Sequence, residues 1–166
     1  QFAKAPNPPK VTAVAGDGKV TLYWDRSAEY SKDKYMGNIT NNVDLYDFEG
    51  YKVYRATDFE FNDAYNITDG DGNPTFLEPY VQNGVRAQWD LVNGKSGWHP
   101  VDLNGIKYYL GNETGLVHSY VDNDVVNGQR YYYAVVSYDY GGDLTNNIIP
   151  SDSPMKLRVN PLTGAV

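Results

Sequence analysis

Asp69, Asp71 and Asn73 alternate through the stretch TDGDGNP, and Asp58, Glu60 and Asp63 stand just upstream. A hard divalent cation gathers six to eight oxygen ligands, and carboxylates brought together repel one another unless a cation neutralises them. These six residues are therefore the candidate calcium ligands of the chain. The spacing departs from an EF-hand loop. Counting from Asp69, position six is Pro74 where a glycine makes the turn, and position twelve is Tyr80 where a bidentate Glu belongs. Two successive Asp-Gly turns at a polar loop tip account for the same residues without a metal. Calcium bound here would brace the segment rather than perform chemistry.

A second set of residues offers ring faces. Trp89 and Trp98 lie in AQWDLVNGKSGWHP, and Tyr108 and Tyr109 follow in IKYYL. Exposed aromatic rings flanked by Asp, Asn and Gln form a platform for sugars, with the ring stacking and the polar groups meeting hydroxyls. The competing reading is a small core for an added hairpin, since tryptophan is usually mostly buried. Sugar binding requires Trp89 or Trp98 to share one exposed strip with Tyr108 or Tyr109. Catalytic chemistry finds less support. The histidines are His99 and His118, and no G-x-S-x-G or H-E-x-x-H motif is present. Asp122 and Asp124 in YVDNDVV read as turn residues. The expectation is a protein that is not an enzyme, with no catalytic residues and no cofactor other than calcium.

The elements that must carry these residues are strands. The chain has 166 residues, enough for one domain with a proper core. Aromatic content is 14%, dominated by tyrosine, which favours β-structure. There is no cysteine, so disulfides, thiolate metal sites and a Cys nucleophile are excluded together, and rigidity must come from another source. A net charge of −7 argues against nucleic acid, whose phosphates need a basic footprint. No stretch approaches the ~18 apolar residues of a membrane-spanning helix. Acid is concentrated in 56–85, which holds no Lys or Arg.

Asn-Gly or Asp-Gly pairs recur at 17–18, 69–70, 71–72, 83–84, 93–94, 104–105 and 127–128. Such pairs accept positive φ and favour the tight turns of β-hairpins. Between them lie KVTLYW, GYKVYRA, AQWDLV, IKYYL, LVHSYV and RYYYAVVSY, short runs of β-branched and aromatic residues. No segment shows helical spacing with caps. This pattern predicts an all-β, antiparallel sandwich. In RYYYAVVSY one face carries Tyr131, Tyr133 and Val135, and the other carries Tyr132, Ala134, Val136 and Tyr138. The preceding VVNGQRY places a tyrosine three positions after a turn glycine, the arrangement of a tyrosine corner whose hydroxyl bonds back to the turn.

With these residues in view, the chain resembles a fibronectin type III module. PPKVTAVAGDGKVTLYWD (8–25) looks like its first two strands and FEGYKVYR (48–55) like its third. HSYVDNDVVNGQRYYYAVVSYD (118–139) resembles the strand, corner and strand that follow, and PSDSPMKLRV (150–159) the last strand. FEGYKVYRATD and NGQRYYYAVVSYDYG are similar to modules of large secreted or surface proteins of bacteria. The resemblance implies a single immunoglobulin-like domain over 1–166, with core blocks at about 8–25, 48–57 and 116–160. Insertions then occupy about 26–47, a long loop, and 58–115, which should add one or two hairpins. The expected core is Val11, Val20, Leu22, Trp24, Tyr51, Val53, Tyr120, Val125, Tyr131, Tyr133 and Val135. The implied role is a non-catalytic structural or adhesive module of an extracellular or cell-surface protein, presenting its insertions from a rigid scaffold. Its partners would be other domains of the same chain or other surface proteins. A carbohydrate-binding module and a subunit of a self-assembling filament are the alternatives.

Overall fold

The computed structural model describes residues 5–30, 48–58, 60–64, 67–68, 74–103, 106–141, 152–153 and 158–159. Strands β1 (Val11–Gly16) and β2 (Lys19–Trp24) form the first hairpin, followed by a 3-10 turn at Ser27–Tyr30. Strand β3 (Phe48–Ala56) leads to a second 3-10 turn at Asn62–Ala64. Short strands β4 (Ile67–Thr68), β5 (Pro74–Phe76), β6 (Val81–Gln82), β7 (Val85–Arg86) and β8 (Gln88–Asp90) come next. Strands β9 (Trp98–Leu103), β10 (Ile106–Tyr109), β11 (Ser119–Asp122), β12 (Tyr132–Asp139) and β13 (Arg158–Val159) complete the order. The protein is all-β with antiparallel sheets, and no α-helix occurs among the described residues.

Two larger sheets organise the chain. One has the order β1-β2-β11 and the other β13-β12-β3-β8, while β4-β5, β6-β7 and β9-β10 pair as separate hairpins. Among the described residues, turns form at the Asp17–Gly18, Asn83–Gly84 and Asn127–Gly128 pairs, while the pairs at 69–70, 71–72 and 104–105 lie outside the described residues. Asn83 and Gly84 both take positive φ, 52° and 76°, as a two-residue primed turn between β6 and β7 requires. The Asp17–Gly18 turn is tied to the Asn127–Gly128 turn by Gly18 N–H to Asn127 Oδ1 at 2.9 Å and Asn127 Nδ2 to Asp17 Oδ1 at 2.8 Å.

Alternation along β2, β3 and β12 gives each strand an apolar face, and those faces meet. One apolar cluster unites Val11, Val20, Leu22 and Trp24 of the three-stranded sheet with Tyr51, Val53, Tyr133 and Val135 of the four-stranded sheet, joined by Tyr131. Tyr120 and Val125 pack against its rim, so every expected core position lies in or against this cluster. The corner tyrosine behaves as its spacing predicts: Tyr131 is buried, and its hydroxyl accepts the Val126 N–H at 2.9 Å.

The other faces of β3 and β12 are covered as well, so both strands are buried on two sides. Tyr54, Ala56, Ala134 and Val136 form a second cluster with Phe61 and Ala64, and Tyr132 packs against it. Tyr138 donates its hydroxyl to the Leu110 carbonyl at 2.5 Å and accepts the Gln88 amide at 3.1 Å. Residues from 58–115 thus pack across the face that the tyrosine run would otherwise expose. Strand β8 from the same segment joins the edge of β3 in the register Tyr51↔Trp89. Gly50 permits the approach, because a Cβ there would sit 2.1 Å from the Trp89 carbonyl oxygen.

One charged residue crosses between the sheets. Asp122, fully buried on β11, accepts the Tyr133 hydroxyl at 2.7 Å, the Tyr80 hydroxyl at 2.9 Å and the Asp124 N–H at 3.0 Å. Arg55 of β3 completes the set at 3.1 Å. Burial and the hydrogen bond to Asp122 push the Tyr133 and Tyr80 hydroxyls well above the usual phenol range, so both remain donors. Sequence spacing marks Asp122 as a turn residue, yet it acts as a polar bolt.

Candidate functional site

The β9-β10 hairpin carries a cross-strand aromatic pair. Register pairs Tyr109 with Trp98 across the hairpin, and their rings meet edge to face at 5.0 Å between centroids. Trp98 is 63% exposed, which leaves most of a large apolar surface in water. The Arg86 guanidinium lies over the Tyr109 ring at 5.0 Å, and the Tyr109 hydroxyl bonds Asn112. Beneath, Gln88 Nε2 donates to the Tyr109 carbonyl at 2.9 Å and ties the hairpin to β8. An aromatic ridge with a cation and an amide is thereby fixed to a buried frame.

The four candidate sugar-facing rings separate into different environments. Trp89 packs against the main core, 5.8 Å from Trp24 and 5.3 Å from Tyr120. Tyr108 turns the opposite way, with its ring 5.7 Å from Tyr138 and its hydroxyl on Asp152. Only Trp98 and Tyr109 share a surface. Of the candidate calcium ligands, Asp69, Asp71 and Asn73 lie outside the described residues. Asp63 accepts the Thr57 N–H and hydroxyl, the latter at 2.9 Å, and Asp58 accepts the Asn62 N–H and side-chain amide. Glu60 accepts a weaker bond from Asn62 at 3.3 Å. Among the described residues no three acidic, His or Cys side chains converge as a metal site would need. His99 is buried, and His118 Nε2 lies 2.6 Å from Glu29 Oε2, which also accepts the Tyr51 hydroxyl at 2.7 Å.

Two buried polar groups escape sequence reasoning. Lys52 projects from the second-cluster face of β3 and is only 6% exposed. Its ammonium lies 2.9 and 3.0 Å from the two Asp152 carboxylate oxygens, among the rings of Tyr108, Tyr138 and Tyr54 at 4.3, 5.2 and 5.6 Å. Glu49 is fully buried. Asn93 donates to its Oε1 at 2.9 Å, and among the described residues its Oε2 has no partner. Burial pushes this carboxyl up to about 8, with Asp90 and Glu113 adding to the rise. Asp90 itself is saturated by the N–H groups of Asn112, Glu113 and Thr114, and so anchors the 111–114 loop.

No family model, curated protein or solved structure matches the chain.

Proposed function

We propose that the chain is a fibronectin type III-like β-sandwich acting as a non-catalytic module of an extracellular or cell-surface protein. In this reading β1, β2, β3, β11, β12 and β13 are the six common strands, taken in order. The sheets β1-β2-β11 and β13-β12-β3 then divide those strands as immunoglobulin-like sandwiches do. A cluster fed by both sheets and the Tyr131–Val126 bond support the same assignment. The module's work is to hold the β9-β10 ridge in a fixed position for a partner. The observation that carries this is Trp98, 63% exposed on a hairpin anchored to a buried frame. A carbohydrate-binding role at the same ridge is the second reading, favoured by the cross-strand Trp98–Tyr109 pair beside Arg86. Self-association into a filament is the third.

An array of glycans and surface-protein fragments, probed with labelled chain, distinguishes these readings. Binding that Trp98→Ala abolishes is expected, with the melting temperature almost unchanged because the ring is exposed. Glycan spots would assign the carbohydrate reading and protein spots the adhesive one. Binding that ignores Trp98 would remove the ridge from the account. Sedimentation of the free chain tests the filament, which requires growth with concentration.

Calcium enters the proposal through the oxygen-rich 57–74 segment. A ligand that binds the folded state alone stabilises it by about 2.7 kcal/mol at a hundredfold excess over its Kd. The expected result is a calcium-dependent rise in Tm that chelator reverses and Asp69→Asn removes. A midpoint indifferent to millimolar calcium would leave Asp58 and Asp63 as turn caps alone.

A further inference from the structure

We propose that Lys52 and Asp152 condense into an intramolecular amide, a covalent cross-link between β3 and the segment that precedes β13. The two reacting groups are already held in contact. Lys52 Nζ is 2.9 Å from Asp152 Oδ1 and 3.0 Å from Oδ2, which holds it against the carboxyl carbon between them. Each oxygen also receives a phenol: the Tyr54 hydroxyl donates to Oδ2 at 3.0 Å and the Tyr108 hydroxyl donates to Oδ1. Two donors fixed on the carboxyl oxygens are what an acyl centre needs when charge moves onto oxygen.

The surroundings favour the neutral amine. Burial lowers the Lys52 pKa against the opposing pull of Asp152, so the amine gives up its proton more readily than a surface lysine. Burial raises the Tyr54 and Tyr108 hydroxyls well above the usual phenol range, which keeps them as donors. Three tyrosine rings exclude bulk water from the ammonium, while Asp152 keeps 32% of its side chain exposed, an exit for a leaving molecule.

The step balances without any oxidant or co-reactant. One ammonium proton passes to the carboxylate, giving amine and carboxylic acid. The nitrogen lone pair attacks Cγ and forms the C–N bond. A second nitrogen proton moves to the departing oxygen, the C–O bond breaks, and one water leaves. Three ammonium hydrogens thus become one amide hydrogen and the two of water. The product closes a loop between residues 100 positions apart, in a chain without cysteine.

Intact-mass spectrometry of the folded 166-residue chain tests this directly. The expected mass is lower than that of the sequence by one water. A branched tryptic peptide should join the Lys52 region to the Asp152 region. Lys52→Ala and Asp152→Ala should each restore the full mass for their sequence and slow migration in a denaturing gel. Tyr108→Phe should delay the loss of water after refolding. Because wild-type protein carries the decisive reading, misfolded variants do not blunt it. Wild-type chain that keeps its full mass after prolonged incubation at neutral pH overturns the proposal and leaves an ion pair only.

Discussion

Asp122→Ala is expected to be among the most damaging single substitutions in this protein. The carboxylate holds Tyr133, Tyr80, Arg55 and the Asp124 N–H at one buried point. Removing it strands two phenol donors and a guanidinium whose side chain is only 19% exposed. Breaking a buried pair by deleting one partner costs about 3–5 kcal/mol, because the remaining charge stays desolvated. For a chain of this length that corresponds to a fall of roughly 6–20 °C in Tm. Asp122→Asn should fall between, since an amide still accepts but brings two unwanted donors. Asp124→Ala is the control: its side chain is exposed, and it meets Arg55 through its carbonyl. Equal, small losses in both variants, measured by urea unfolding, would reduce Asp122 to an ordinary turn residue.

The second large effect is a pH dependence set by Glu49. Its folded pKa is raised to about 8, against 4.5 for an exposed carboxyl, chiefly by burial. Between these values the folded state keeps a proton that the unfolded state has released. Stability therefore falls as pH climbs through this window, by at most about 1.4 kcal/mol per unit from this group. Below about 4.5 the penalty is absent, and above about 8 it is constant. Glu49→Gln removes the titration and keeps the shape. Its unfolding free energy should exceed that of wild type by a margin that grows from pH 5 to pH 8. A margin independent of pH would show that Glu49 is ionised in the folded protein throughout.

How much of this was legible beforehand follows from how local each signal is. The strands KVTLYW, GYKVYRA and RYYYAVVSY declare themselves by alternation and by the Gly turns beside them, and the main core follows from their faces. The Tyr131 corner is readable because its partner, Val126, lies five residues away. Lys52 is the opposite case. In GYKVYRA alternation marks it as the solvent side, and it is buried because Tyr108 from 58–115 closes over it together with Tyr138 and Asp152. Its partner Asp152 stands 100 residues further on. Glu49 likewise depends on Asn93, 44 residues away. Trp89 and Trp98 look equivalent in sequence, yet register puts Trp89 opposite Tyr51 while Trp98 opens a separate hairpin. Strand β9 escapes a propensity reading for a plain reason: Pro100 interrupts its β-forming run, which an edge position tolerates.

The β6-β7 hairpin has a consequence for how this molecule behaves in a crowd. Gln82 donates its amide to the Tyr120 hydroxyl at 2.9 Å and to the Val121 carbonyl at 3.1 Å, and it accepts the Asn123 N–H at 2.7 Å. One side-chain carboxamide thus offers β11 the donor and the acceptor that a neighbouring peptide group would offer. A peptide group would pass the pairing on to the next residue, and a carboxamide ends it. Gln82 thereby occupies the Val121 carbonyl and the Asn123 N–H, two backbone groups that another chain would need for templated addition at this end of β11, with one glutamine and a two-residue turn.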